Sequence, residues 1–103
     1  MIGVIKALFG GVKHDFKDLI QKGAIVVDVR SEGEYKTGHI AGSVNIPLNK
    51  LTNGMKKINS DKTVITCCAS GVRSASAKNI LLSNGFKNVV NGGGWRSLNS
   101  RLK

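Results

Sequence analysis

The sequence predicts an α/β domain built on a mostly parallel sheet. Two observations carry this expectation. Nearly continuous apolar, β-branched runs recur, Ala24 to Val29 and Thr63 to Cys67, and such runs fit strands covered on both faces. Between them lie segments with apolar residues at i, i+3, i+4, and strands alternating with helices give crossover units and a parallel sheet. Right-handed crossovers then set the strand C-termini along one edge, where ligands bind.

Met1 to Val12 mixes Ile2, Val4, Ile5, Leu8 and Phe9 with three glycines, and Lys6 interrupts the apolar part. A signal peptide needs an unbroken apolar core after a basic start, so residues 1–12 read as a loosely packed extension ahead of a domain over 13–103. Phe16, Leu19 and Ile20 mark a short helix, with Asp15 as N-cap and Gly23 as stop. The strand that follows ends in Asp28, which reads as a buried carboxylate bonded to loop N–H groups or to Arg30. Ser31 and Glu34 form a capping box for a helix around Tyr35 that ends at Gly38. His39 reads as structural and His14 as a surface residue.

Ser43 to Ile46 is a short strand closed by Pro47. Leu51, Met55 and Ile58 share a helical face that Gly54 weakens. Asn59-Ser60-Asp61 turns into the strand Thr63 to Cys67. Ala77, Ile80 and Leu81 predict a helix from Ser74 to Asn84, stopped by Gly85. Asn88 to Asn91 is a last strand, Gly92-Gly93-Gly94 a sharp turn, and Trp95, Leu98 and Leu102 one more helical face. Trp95 reads as packing in the core or under a lid.

A chain of 103 residues with 41% hydrophobic residues allows one domain with one packed core. No apolar run approaches the length that crosses a bilayer, so no membrane partner is expected. The net charge of +10 comes from 16 basic and 6 acidic residues. The lysines are scattered and read as a solvated surface that attracts anions generally, less so in salt. Nucleic acid is not an expected partner, because Phe9, Phe16, Tyr35, Phe86 and Trp95 are too dispersed to form a stacking platform. Cys67 and Cys68 are adjacent, and a disulfide between neighbours closes a tiny strained ring. With no zinc-type spacing either, no metal or cofactor is expected, and free thiols point to a reducing, cytoplasmic setting.

The chemistry-bearing stretch is Cys68-Ala69-Ser70-Gly71-Val72-Arg73-Ser74. A cysteine at a strand end, before a tight turn into a helix N-terminus, meets inward-pointing amides and the positive end of the helix dipole. Its thiol ionises more easily, and the thiolate is the nucleophile. Cys67, the preceding strand residue, points the other way and reads as core; its alternative is a resolving thiol.

This loop resembles the active-site loop of the rhodanese-like sulfurtransferases. Asp28-Val29-Arg30, Glu34, Gly38-His39-Ile40-Ala41-Gly42-Ser43 and Asn45-Ile46-Pro47-Leu48 are similar to that family's N-terminal signature, and Gly92-Gly93-Gly94-Trp95 to its C-terminal one. The resemblance implies a three-layer α/β sandwich with a central, mostly parallel five-stranded sheet. It also implies that Cys68 is catalytic and carries sulfur as a persulfide. Ala69, Ser70, Gly71, Val72, Arg73 and Ser74 are then the substrate-binding residues. Their amides hold the sulfur, while Arg73 closes the loop onto backbone carbonyls and attracts the donor. By the same resemblance, phosphatases and arsenate reductases of the cell-cycle phosphatase type have a loop one residue longer. Here Arg73 comes five positions after Cys68, and the tighter ring suits one sulfur atom better than a phosphate.

The expected activity is transfer of sulfane sulfur from thiosulfate or a similar small anionic donor to a thiol or cyanide acceptor. The alternative is a sulfur-relay or regulatory persulfide carrier that works with a protein partner.

Overall fold

A parallel sheet in the order β2-β1-β3-β4 runs through the molecule, whose computed structural model describes residues 14–103. The expected extension over 1–12 lies outside them. Strand β1 is Ile25–Asp28, β2 Val44–Asn45, β3 Val64–Cys68 and β4 Val89–Gly94. The helices are α1 Phe16–Gln21, α2 Glu32–Lys36, α3 Leu51–Gly54, α4 Val72–Ser83 and α5 Trp95–Arg101. No helix among the described residues is long and apolar enough to cross a membrane.

The sheet alternation sorts the core into two. Val27, Val64 and Cys68 pack with Leu51 of α3 and with Ala77 and Leu81 of α4. Val26, Ile65 and Cys67 pack with Phe16 of α1 and Leu98 of α5. Neighbouring strand residues thus serve opposite faces, and helices cover both, giving the three expected layers. Each fully buried aliphatic side chain, such as Leu51, Leu81 or Leu98, contributes about 1.5–3 kcal/mol of transfer free energy.

Local signals place the elements closely. The Asp15 carboxylate accepts from the Asp18 amide at 3.1 Å. Ser31 and Glu34 make the reciprocal capping box, Glu34 N–H to Ser31 Oγ at 3.2 Å and Ser31 N–H to Glu34 Oε1 at 3.0 Å.

Four expectations are corrected. The sheet has four strands among the described residues, not five. The residues themselves mark four strands there, and the fifth was implied by the resemblance alone. The Gly92-Gly93-Gly94 run is not a turn; it continues β4. A Cβ at Gly92 would stand 2.8 Å from Ile65 Cγ2 and from the Thr66 carbonyl oxygen, and one at Gly94 2.9 Å from the Ala69 oxygen. At Gly92 and Gly94 the strand passes its neighbours too closely for any side chain, while Gly93 is open and takes a left-handed φ of +78°. Helix α4 begins at Val72, two residues before the expected Ser74. The Leu51 to Ile58 helix breaks up instead of running through: α3 keeps one turn, flanked by 3-10 turns at Leu48–Lys50 and Met55–Lys57. Gly54 sits against Ile46, where a Cβ would be 2.5 Å from Cγ2, so it is needed for contact as well as being a poor helix former.

Candidate active site

Strand β3 delivers Cys68 to the C-terminal edge of the sheet. Its pairing with β4 slips between Thr66 and Cys68, which sets Cys68 opposite Gly94. The chain then turns through Ala69 and Ser70, both exposed. Gly71 follows at φ +101°, a left-handed conformation that favours glycine. That bend aims the Gly71 N–H back at Cys68 Sγ, 3.0 Å away. One turn into α4, the Ser74 N–H also points at Sγ, at 3.4 Å, with Ser74 Oγ at 3.5 Å. The Thr66 hydroxyl donates to the Ser74 carbonyl at 2.9 Å and pins the start of the helix to β3.

Cys68 is only 1% exposed, yet its sulfur is surrounded by donors and not by apolar packing alone. Burial pushes the thiol up. The Ser74 hydroxyl, then the amides of Ser74, Gly71 and Ser70, more than offset it, and the thiol titrates below its ordinary 9.0. Cys67 has the opposite surroundings. It is fully buried on the far face of the sheet. Burial, reinforced by the Asp28 carboxylate, pushes its thiol up to about 12.

The loop residues divide. Gly71 and Ser74 hold the sulfur, with the Ser70 amide assisting, while the Val72 side chain stands 73% exposed. Among the described residues, the amides of Ala69, Val72 and Arg73 do not bond to Sγ. Arg73 does not close the loop onto backbone carbonyls, as its position in the loop led us to expect. Both ends of its guanidinium go to Glu34 across the site, Nη1 to Oε1 at 2.8 Å and Nη2 to Oε2 at 3.0 Å. A carboxylate offers a planar fork a charge-assisted pair that a lone carbonyl cannot match.

Beneath this pair Arg30 fastens α2 to the sheet. It bonds the fully buried Asp28 carboxylate through Nε at 3.0 Å and Nη2 at 2.7 Å, and donates to the carbonyls of Glu34 and Gly38. Trp95 covers it, 4.7 Å from guanidinium carbon to ring centroid. His39 stacks on Tyr35 with ring centroids 3.7 Å apart and is held at Nδ1 by the Tyr35 carbonyl, a structural place.

Two participants escaped the sequence reading. Glu34 was legible as a cap and as part of the N-terminal signature, but not as the partner of Arg73. Asn91 gave no signal except its place before the glycine run, yet its Oδ1 lies 2.7 Å from Ser74 Oγ.

A parallel sheet covered on both faces, with a thiol poised among amides at a helix N-terminus, defines an α/β domain of the cysteine-loop class. Residues 12–100 match the rhodanese-like domain, and the chain belongs to that family. It is 37% identical to the Bacillus subtilis protein YqhL over 78% of this chain and 64% of that one, so it spans less than two thirds of this relative. It is 34% identical to the thiosulfate sulfurtransferase GlpE of Pseudomonas fluorescens, over 77% of this chain and 76% of that one. Among solved structures, a rhodanese with anions from E. coli superposes with a TM-score of 0.67 at 32% identity, over 72% of this chain and 89% of that one.

Proposed function

We propose that this protein is a sulfurtransferase that carries sulfane sulfur on Cys68, with thiosulfate as a competent donor. The observation that carries this reading is the convergence of the Gly71 and Ser74 amides on one sulfur atom, with Ser74 Oγ beside it. In the first half-reaction the Cys68 thiolate attacks the outer sulfur of thiosulfate. The S–S bond of the donor breaks, sulfite leaves with the electron pair, and Cys68 becomes a persulfide anion. In the second, a thiolate or cyanide attacks the terminal sulfur, and the Cys68 thiolate is released. Dividing one transfer into two displacements is nucleophilic catalysis. The fixed amides stabilise each anion without reorganising.

The five-residue step from Cys68 to Arg73 supports sulfur over phosphate as the cargo, and the name of the Pseudomonas relative supports thiosulfate. Two reduced thiols suit a cytoplasmic setting.

The test is to mix the protein with thiosulfate and weigh it. The expected mass gain is one sulfur atom, removed by cyanide with release of thiocyanate and absent in Cys68→Ser. An unchanged mass overturns the proposal. A protein that loads sulfur but turns over poorly with cyanide acts as a persulfide carrier for a protein partner instead.

A further inference from the structure

Asn91 occupies β4 beside the cysteine loop, and all of its side-chain polar atoms are used. Oδ1 takes the Ser74 hydroxyl at 2.7 Å and the Gly93 N–H at 2.9 Å, and Nδ2 donates to the Gly71 carbonyl at 3.4 Å. The Gly93 amide can only donate, which identifies the oxygen end of the Asn91 side chain.

The Ser74 hydroxyl has one hydrogen, with Asn91 Oδ1 at 2.7 Å and the Gly71 carbonyl at 3.0 Å as its acceptors, while the Cys68 thiol donates to Ser74 Oγ at 3.5 Å. The Gly71 carbonyl already accepts the Ala75 N–H at 3.1 Å. Once the thiol ionises, the real competition for that hydrogen is between Asn91 and the sulfur.

We propose that Asn91 is a positioning residue for Cys68: it draws the Ser74 hydrogen away from the sulfur, turns an Oγ lone pair toward the thiol, and so holds Cys68 less ionised than the loop would otherwise make it. This deepens the reading of Cys68 as the sulfur carrier and rests on it for its purpose. A thiolate loses nucleophilicity as its pKa falls, and the best attacking thiol titrates near ambient pH. Asn91 keeps a sulfur that is rich in donors from becoming too stable to attack.

The other charged or titratable groups around Cys68 are Cys67 on β3, Arg73 on α4 with its partner Glu34 on α2, and the Asp28–Arg30 pair at the end of β1. Strand β4 carries no charged residue, so Asn91 acts through the hydrogen bond and not through charge.

The experiment is the pH profile of Cys68 alkylation by iodoacetamide on the full chain, located by peptide mass. Asn91→Ala should lower the midpoint by about one unit, the worth of one charge-assisted hydrogen bond. Ser74→Ala removes the oxygen that accepts from the thiol and should not raise the midpoint, and the double variant should match Ser74→Ala alone. Asn91→Asp supplies a second reading: its carboxylate binds the hydrogen more firmly and should move the midpoint up. The proposal is overturned by an unmoved or raised midpoint in Asn91→Ala, or by an Asn91→Ala shift that persists without the Ser74 hydroxyl. Alkylation needs no sulfur transfer, so a failure to load thiosulfate sinks the proposed function while these midpoints still decide the role of Asn91.

Discussion

Arg73 and Glu34 face each other across the cysteine loop as a two-point ion pair, 2.8 and 3.0 Å, with each side chain a little over one third exposed. The Arg73 hydrogen bonds, then that from the Ser31 amide, hold the Glu34 carboxyl at about 2. Both ends of the Arg73 guanidinium are therefore already engaged by a carboxylate. Under the proposed function, an anionic donor would compete with Glu34 for the guanidinium.

Glu34→Gln tests this competition cleanly, since glutamine also serves a capping box. The KM for thiosulfate should fall at low salt by up to about fivefold, the range of a partly exposed pair, and the gap should close at high salt. A KM that rises shows that Glu34 positions Arg73 instead of restraining it. Acid stability follows from the same residue. The folded value of about 2 lies below the ordinary 4.5, so the contribution of the pair is complete above the ordinary value and is lost as pH falls toward about 2. Urea midpoints of wild type and Glu34→Gln should differ at neutral pH and converge in acid.

The two neighbouring thiols should behave as different chemical species. Iodoacetamide near neutral pH should label Cys68 once and leave Cys67 untouched until the protein is unfolded, as expected for one thiol held below its ordinary value and one raised to about 12. Labelling of both at similar rates in the folded protein contradicts these assignments.

Asp28→Ala should destabilise the fold by about 3–5 kcal/mol, because it strands the Arg30 guanidinium in the interior. Arg30 is 3% exposed, and its other bonds go to the carbonyls of Glu34 and Gly38. Chemical denaturation measures the loss. A change under about 1 kcal/mol, the range of an exposed pair, contradicts this account.

Gly92→Ala should cost about 1–3 kcal/mol as overpacking, since the Thr66 carbonyl oxygen at 2.8 Å belongs to the sheet backbone and cannot step aside. Gly33→Ala is the control, with nothing within 4 Å of the added carbon. Equal stability of the two variants refutes the close-approach explanation of the glycine run.

What the sequence told and what it hid follow one rule. Signals written within a few residues were legible: the Asp15 cap, the Ser31–Glu34 box, the opposite faces of Cys67 and Cys68, and the amide-lined strand end at Cys68. The hidden features are contacts between distant segments. Gly92 and Gly94 looked like parts of a turn because the crowding that requires glycine there comes from Ile65, Thr66, Leu98 and Ala69. Arg73 was assigned backbone partners because its true partner, 39 residues away, was already accounted for as a cap. Asn91 was silent because an asparagine before glycines marks a turn far more often than a site. The fifth strand was an expectation of family resemblance and not of any run of residues between 14 and 103.

The opposite facing of Cys67 and Cys68 on β3 has a redox consequence. The sheet stands as a wall one backbone thick between two vicinal sulfurs, one facing α4 and the other sunk beneath α1 and α5. An oxidised Cys68 has no internal thiol to rescue it. Its recycling depends on small thiols arriving from solution, and the durability of the protein under peroxide should track the thiol supply around it.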